Sequence, residues 1–188
     1  MRSKILDYFD FKTANTFLEG FNQSTDFVTA ILDLDGNILS KSGWRQICTD
    51  FHRKNPKTAL NCTISAIELT NKTEENETYN FYKCINGLVD VRAPIIIRGE
   101  HVANLYTGQL FFEAPDISFF KKQAEKYGFE ESSYLGALEK VPVVSKEKVE
   151  LTMNFLLNIL QVIIEMTAEK IEQEELTEVI RRSEAALI

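Results

Sequence analysis

The sequence predicts an α+β fold, in which helices flank an antiparallel sheet and a long helix closes the chain. The first observation behind this prediction is the order of elements, which is one helix, two strands, further helices and then three strands. The second is a helical pattern that runs from residue 146 to residue 188 without proline or glycine. Because strands and helices do not alternate regularly, an antiparallel sheet is favoured over a parallel one.

Local signals place each element. Apolar residues recur at helical spacing from Phe11 to Phe21, with Asp10 as the N-cap, and Asp33-Leu-Asp-Gly36 is typical of a hairpin turn. The residue before Pro56 avoids the α region, which separates two helices there. The predicted helices lie at residues 11–21, 45–54, 56–72, 116–127, 130–138 and 146–188, and the predicted strands at 27–33, 37–39, 79–84, 88–97 and 102–112. This arrangement is of the PAS/GAF type.

The two longest strands are predicted to form a hairpin whose central residues are Gly99 and Glu100, and this pairing decides which residues share a face. One face would then be nearly all apolar and would seat the final helix. Its members are Val91, Ala93, Ile95, Ile97, Val102, Asn104, Tyr106 and Gly108. The members of the other face are Asp90, Arg92, Pro94, Ile96, Ala103, Leu105, Thr107 and Gln109.

The polar residues of that second face gather at one end of the hairpin. A cluster of this kind can orient a small ligand by hydrogen bonds within an otherwise apolar cavity. The competing interpretation is that these side chains face water on the open side of an antiparallel sheet. Aromatic residues nearby, Trp44, Phe51 and Tyr82, could wall a cavity or could be plain core.

The final helix is apolar around most of its circumference. Between Leu151 and Met166 its strongly polar residues form one narrow stripe. We therefore expect one side to pack on the sheet and another on a second copy of the chain. A membrane span is disfavoured, because it needs about 20 mostly apolar residues and this run is shorter.

Beyond Met166 the final helix has sparse apolar positions on a charged background. This pattern indicates a two-stranded coiled-coil linker, and the alternative is a solvated helix that frays. The predicted domains are accordingly a sensory domain at 1–145 and a dimerising linker helix at 146–188, which would lead to a signalling domain downstream.

Composition excludes several classes of function. A net charge of −7 without a basic stripe disfavours nucleic-acid binding. The first residues lack a signal-peptide pattern, which favours a cytoplasmic location. With two histidines and no phosphate-binding glycine loop, kinase signature or nucleophile elbow, the chain is not expected to be an enzyme.

Three cysteines, Cys48, Cys62 and Cys84, stand too far apart for the short spacing of zinc sites. They could nevertheless converge in space and supply thiolates to a metal or a redox switch. The alternative is that each is a small buried apolar residue. Beyond this possible metal, no cofactor is expected.

Three stretches carry a resemblance to a known family. They are Ile47-Cys-Thr-Asp-Phe through Cys62-Thr-Ile-Ser, Tyr82-Lys-Cys-Ile-Asn-Gly-Leu-Val-Asp-Val-Arg-Ala-Pro-Ile, and Gly99-Glu-His-Val-Ala-Asn-Leu-Tyr-Thr-Gly-Gln. With this combination, residues 10 to 165 resemble the PocR-type sensory domain. The resemblance implies a PAS-like ligand-binding module found in front of DNA-binding regulators, histidine kinases and cyclases, with small compounds such as diols as effectors.

The resemblance also nominates site residues, which are Cys48, Cys62, Cys84, Asn86, Gly87, Asp90, Gly108 and Gln109. Family members often carry His directly after the third cysteine, where Ile85 stands here, and this departure counts against a metal site of three Cys and one His.

Together the sequence predicts a small-molecule sensory domain of a signal-transduction or transcription-regulatory protein, for example a two-component histidine kinase. The predicted ligand-binding residues are Trp44, Cys48, Phe51, Cys62, Tyr82, Cys84, Asn86, Asp90, Thr107 and Gln109. The predicted partners are a small organic ligand, a second copy of the chain and a downstream domain. The alternative function is a metal or redox sensor that uses the three cysteines.

Overall fold

The computed structural model describes residues 3–67 and 78–185. A short 3-10 turn at Lys4–Asp7 and a π-helix at Ile47–His52 accompany the regular elements. The helices are α1 Phe11–Thr25, α2 Pro56–Ile67, α3 Ile117–Tyr127, α4 Glu131–Leu138 and α5 Lys146–Ala185. The strands are β1 Val28–Asp33, β2 Ile38–Ser42, β3 Asn80–Lys83, β4 Val89–Ile97 and β5 Glu100–Leu110.

The five strands form one antiparallel sheet in the order β2-β1-β5-β4-β3. The strands that meet at its centre, β1 and β5, are therefore the first and last in the chain. With helices on both faces, this is an α+β, PAS-like fold, and the predicted fold class is confirmed. Parts of two predicted helices, residues 68–72 and 186–188, lie outside the described residues.

Local chemistry explains where the helices begin. The side chain of Asp10 accepts a hydrogen bond from the backbone N–H of Thr13, and Ser145 Oγ accepts from the N–H of Lys148. Both contacts satisfy backbone donors that the first turn of a helix leaves free. The segment predicted as a helix at 45–54 is a π-helix, in which the N–H of Arg53 reaches the carbonyl of Cys48 five residues back.

The two faces of the sheet pack against different partners. One face is covered by α1 and α5 and forms the largest core, which includes Ile31, Val91 and Leu105. The other face is covered by the π-helix and α2, and its smaller cluster includes Ala30 and Tyr106. Alternate residues of β1, β4 and β5 point to opposite faces, so each central strand serves both sides.

The β4–β5 register differs from the sequence prediction. Arg98 and Gly99, with φ of 52° and 80°, are the central turn residues, because a two-residue turn of this kind needs positive φ at both positions. Ile96 pairs with His101 but Ile95 pairs with Ala103, which makes Val102 a β-bulge.

This bulge exchanges the faces along β5. Asp90 and Arg92 lie opposite Gly108 and Tyr106, whereas Val91 lies opposite Thr107. The predicted apolar face was right for β4 and wrong for most of β5, because a shift of one residue moves every later side chain to the other face. Three residues expected under the final helix, Asn104, Tyr106 and Gly108, are on the opposite face. Three residues predicted on the face away from the final helix, Ala103, Leu105 and Thr107, lie instead on the face toward α5.

α5 is 40 residues long and buries one side on the sheet. Its buried residues are Val149, Met153, Leu156, Leu160, Ile163, Thr167 and Ile171. Their spacing of three and four residues is that of one helix face. The outer side of the same stretch exposes Leu151, Phe155, Val162 and Met166.

Among the described residues, α5 is the one helix whose length and composition would allow it to cross a membrane. The core helix of a soluble protein passes the same test, and one side of α5 packs on the sheet.

Candidate ligand-binding cavity

A cavity of about 60 Å³ lies between the sheet and the helices on the side away from α5. It is bounded by β1, β5, Tyr82 of β3, the π-helix and α2. The residues that line it are Val28, Thr29, Ala30, Leu32, Trp44, Cys48, His52, Arg53, Cys62, Ser65, Ala66, Tyr82, Cys84, Asp90, Tyr106, Thr107, Gly108 and Gln109. A water molecule needs roughly 10–15 Å³ measured in this way, so the cavity holds a molecule of a few non-hydrogen atoms.

The structure brings eight of the ten predicted ligand-binding residues to this cavity. They are Trp44, Cys48, Cys62, Tyr82, Cys84, Asp90, Thr107 and Gln109. The other two, Phe51 and Asn86, stand behind the lining. The ring of Phe51 packs on Phe129 and Tyr134, in a second core below the π-helix.

Asn86 is buried and supports a lining residue. Its side-chain N–H donates to the Thr58 carbonyl at 2.9 Å and lies 3.2 Å from the sulfur of Cys62, while its Oδ1 accepts from Asn61. Because both ends of the amide are engaged, Asn86 positions the α2 helix and its thiol without bordering the cavity.

Asp90 is the acidic residue of the lining. Its Oδ1 accepts the backbone N–H of Gln109 at 3.0 Å. Burial raises the pKa of Asp90 to about 6, and the hydrogen bond from Gln109 and the nearby Arg53 charge lower it in part. Near neutral pH the carboxyl group is therefore an acceptor that gives up its charge easily.

The backbone beside Asp90 is held in an unusual conformation. Val89 pairs with Leu110 but Asp90 pairs with Gly108, so Gln109 is a bulge residue, with φ of 52°. Gly108 has φ of 149°, and a Cβ there would stand 2.6 Å from the Cα of Asp90. Only glycine fits at this position. The bulge turns Gln109 toward the cavity wall, where its Oε1 accepts the backbone N–H of Arg45 at 2.6 Å.

Thr107 borders the cavity through its backbone, because its side chain belongs to the other face of β5. Its hydroxyl donates to the carbonyl of Val28 at 2.7 Å. Arg92, the remaining polar residue of the predicted cluster, donates from Nε to Asn104 Oδ1 at 2.8 Å, farther along the sheet. The predicted grouping of four polar side chains is thus reduced to Asp90 and Gln109 at the cavity.

The three cysteines border the same cavity, as the sequence allowed, and none is in a disulfide. Burial raises the pKa of all three thiols, Cys48, Cys62 and Cys84, and Asp90 raises each further. A metal requires thiolates. In the ranges 3–67 and 78–185, no group of three or more metal-binding side chains is placed to hold an ion. The cysteines as arranged here do not fit a metal.

Sequence reasoning missed two lining residues on the π-helix segment, His52 and Arg53. The Arg53 guanidinium lies 4.3 Å from the ring centre of Trp44, whose indole N–H donates to the Thr29 carbonyl. The distance of His52 and Arg53 from Cys48 in the sequence could have predicted their place in the lining, because residues four and five positions apart share a face of an α- or π-helix.

His52 is anchored from behind by α3 and α4. Its Nε2 is 2.7 Å from the Tyr134 hydroxyl, and Gln123 Nε2 donates to that hydroxyl at 2.6 Å. The pKa of His52 is lowered to about 4, chiefly by burial and to a smaller extent by the charge of Arg53. The ring is therefore neutral at physiological pH.

A comparison with protein-family models finds a match to this chain. A family model described as a sensory domain found in PocR matches residues 7–168, close to the range over which the resemblance was seen in the sequence. The match includes the whole cavity and, except for Ile171, the α5 residues that are buried in the core. No curated protein matches the chain.

Proposed function

Because the chain belongs to the PocR sensory-domain family, we propose that it binds a small, mostly apolar organic ligand in the cavity and signals its presence through α5. The observation that carries this proposal is the position of the cavity. It lies on one face of β4 and β5, and the signalling helix packs on the other face of the same strands.

The chemistry of the lining suits such a ligand. Val28, Ala30, Leu32 and Ala66 supply apolar walls, and the thiols are protonated and weakly polar. Asp90 provides a polar anchor for a hydroxyl group. Pockets with mostly apolar walls and few polar groups are typical of small-molecule sites. Diols, which the family resemblance implies, have this mixture of carbon and hydroxyl.

A route to the helix follows from the alternation of side chains along the strands. Asp90 borders the cavity, while the next residue, Val91, packs in the core that contains Met153 of α5. At the far end of the hairpin, the Arg98 guanidinium pairs with Glu175 of α5 at 2.8 Å. A ligand that binds one arrangement of β4 more tightly than another would shift the position of α5 by its difference in affinity.

The exposed side of α5 supports a homodimer. Leu151, Phe155, Val162 and Met166 recur at near-heptad spacing. The first two also border an open apolar groove of about 700 Å³ against Phe17 and Phe21 of α1. A second copy would cover these side chains, and Leu176, Val179 and Ile180 would continue the contact as a coiled coil. In this proposal the domain is cytoplasmic, does not catalyse a reaction and controls a downstream signalling domain.

Ligand titration tests this function. Propane-1,2-diol would be titrated into the full chain, with binding followed by NMR shifts of backbone amides. Asp90→Asn keeps the acceptor for Gln109 but removes the charge, and we expect about tenfold weaker binding from the loss of one charge-assisted hydrogen bond. Asp50→Asn is the matched control, because Asp50 is exposed, pairs with Lys54 and does not line the cavity, so its affinity should equal that of the wild type.

Native mass spectrometry of the purified chain would add the stoichiometry and any co-purified ligand. Binding that is equally strong in the wild type and in Asp90→Asn would show that the ligand sits elsewhere. A monomer at micromolar concentration would contradict the homodimer.

A redox sensor is the second candidate, and one observation favours it. All three thiols border a single cavity, so an oxidant that entered it would meet them together. Their raised pKa values oppose fast oxidation, since the thiolate is the reactive form. Metal analysis of anaerobically purified chain, together with thiol counting before and after peroxide, separates this candidate from the first.

A further inference from the structure

A buried hydrogen-bond network decides which nitrogen of the neutral His52 ring carries the proton. The side-chain nitrogen of Gln123 lies 3.2 Å from the backbone carbonyl of Asn86, which can only accept a hydrogen bond. This contact fixes the orientation of the Gln123 amide. The same nitrogen lies 2.6 Å from the Tyr134 hydroxyl, so that hydroxyl oxygen accepts its second N–H.

The proton of the Tyr134 hydroxyl must then find an acceptor. Tyr134 is fully buried, and His52 Nε2 is 2.7 Å away. If Tyr134 donates to Nε2, then the Gln123 amide nitrogen, the Tyr134 hydroxyl and His52 Nε2 all have hydrogen-bond partners. If instead Nε2 carried the proton, the hydroxyl hydrogen would be left buried without an acceptor, which costs free energy. A neutral ring whose Nε2 accepts carries its proton on Nδ1.

His52 Nδ1 has no hydrogen-bond partner within the described part of the chain. Its residue is 1% exposed and borders the cavity. Because Tyr134 already contacts Nε2, Nδ1 is the ring nitrogen left for another partner. Buried polar groups are nearly always paired, so an unpaired donor at a cavity indicates a missing acceptor.

We infer that His52 donates its Nδ1–H to the bound ligand, and that the ligand places a hydroxyl or carbonyl oxygen against it. This inference rests on the proposed function and narrows the ligand class. A compound that presents only donors at this point, such as an alkylammonium ion, would leave two donors facing each other and be rejected. Tyr134 and Gln123 are positioning residues, because they act on the ligand only through the imidazole.

A first measurement needs no ligand and no variant. Long-range ¹H–¹⁵N NMR spectra of the full chain distinguish the two neutral forms of His52 by the ¹⁵N shifts of the ring. We expect the Nδ1–H form at pH 7 in the wild type. In Tyr134→Phe the Nδ1–H form should persist, because Gln123 Nε2 also lies 3.3 Å from His52 Nε2 and can donate to it once the hydroxyl is removed. A wild-type ring with its proton on Nε2 would overturn the inference.

A second measurement uses two variants that preserve different halves of the imidazole. Asn places its amide nitrogen close to the position of Nδ1, whereas Gln reaches only toward the position of Nε2. With propane-1,2-diol and acetone as probes, His52→Gln should weaken binding about tenfold. His52→Asn should recover most of that loss, and circular dichroism checks that both variants are folded.

The outcomes separate this inference from the function on which it depends. If the wild type binds a probe and His52→Gln binds it equally well, water alone satisfies Nδ1 and the inference is wrong, while the proposed function stands. If the wild type binds neither probe, the proposed function fails and the inference fails with it.

Discussion

The two faces of the sheet are built from the same strands but differ in what they contain. The face toward α5 is close-packed with apolar side chains from Ile31, Val91 and Leu105, and seven α5 residues seal it. The face toward α2 borders the cavity, whose lining includes Asp90, His52 and the three thiols. The strained backbone at Gly108 and Gln109 lies beside that cavity. The α5 face thus forms the continuous core, and the α2 face borders the cavity.

This division suits a sensor. A cavity removes packing contacts that would otherwise stabilise the fold, and buried polar groups are costly when they are not paired. The α5 face compensates with a continuous core. In the proposed mechanism, a small shift of β4 on the cavity side would reach α5 as a change of packing, because that core is close-packed.

The largest expected effect sharpens the comparison on the α5 side. Leu156→Ala should lower the free energy of unfolding by about 3 kcal/mol, because Leu156 is 1% exposed and leaves a cavity in the core. The matched control is Leu151→Ala, on the same helix but 65% exposed, which should change the stability of one copy by about 0.5 kcal/mol or less. Urea denaturation at low protein concentration measures both.

Equal losses for the two variants would break the comparison, since the outer side of α5 would then be as well covered as the inner one. Repeating the measurement at high concentration tests the dimer. There Leu151→Ala should lose stability relative to the wild type, because the exposed leucine becomes part of an interface.

The next effect, of similar size for each group, is the pH dependence of the free energy of unfolding on the cavity side. The raised pKa of Asp90, about 6, contributes stability below pH 4 that is lost as the pH rises through 6. The lowered pKa of His52, about 4, contributes stability above pH 6.5 that is lost as the pH falls through 4. The two contributions oppose each other between pH 4 and 6.5. Each amounts to about 3 kcal/mol by the usual relation between pKa shifts and free energy.

Single variants separate the two contributions. In Asp90→Asn the free energy of unfolding should rise with pH over this window, and in His52→Gln it should fall, while the wild type changes less than either. Chemical denaturation at several pH values measures the slopes. Identical slopes in the three proteins would mean that these groups are not buried at the cavity.

The smallest expected effect is on the thiols. Because burial raises the pKa of Cys48, Cys62 and Cys84, iodoacetamide at pH 8 should modify the folded chain only slowly, and all three cysteines after denaturation. Mass spectrometry counts the adducts. Rapid modification of the folded chain would show reactive thiolates in the cavity and favour the redox sensor.

The sequence by itself determined the elements and their order, because hydrophobic periodicity and turn residues are local signals. The cap at Asp10, the helix from Ser145 and the apolar inner side of α5 could all be predicted in this way. The family motifs also led to six of the eighteen residues that line the cavity, including Cys48 and Asp90.

Only the tertiary structure decided which face each β5 residue occupies and which groups meet across the cavity. The bulge at Val102 places the side chain of Tyr106 on the cavity face and that of Thr107 on the α5 face, and no residue type marks that position in the sequence. His52 Nε2 contacts the hydroxyl of Tyr134, a residue 82 positions away in the sequence. Such contacts depend on how separate elements pack, which the spacing of residues along the chain does not specify.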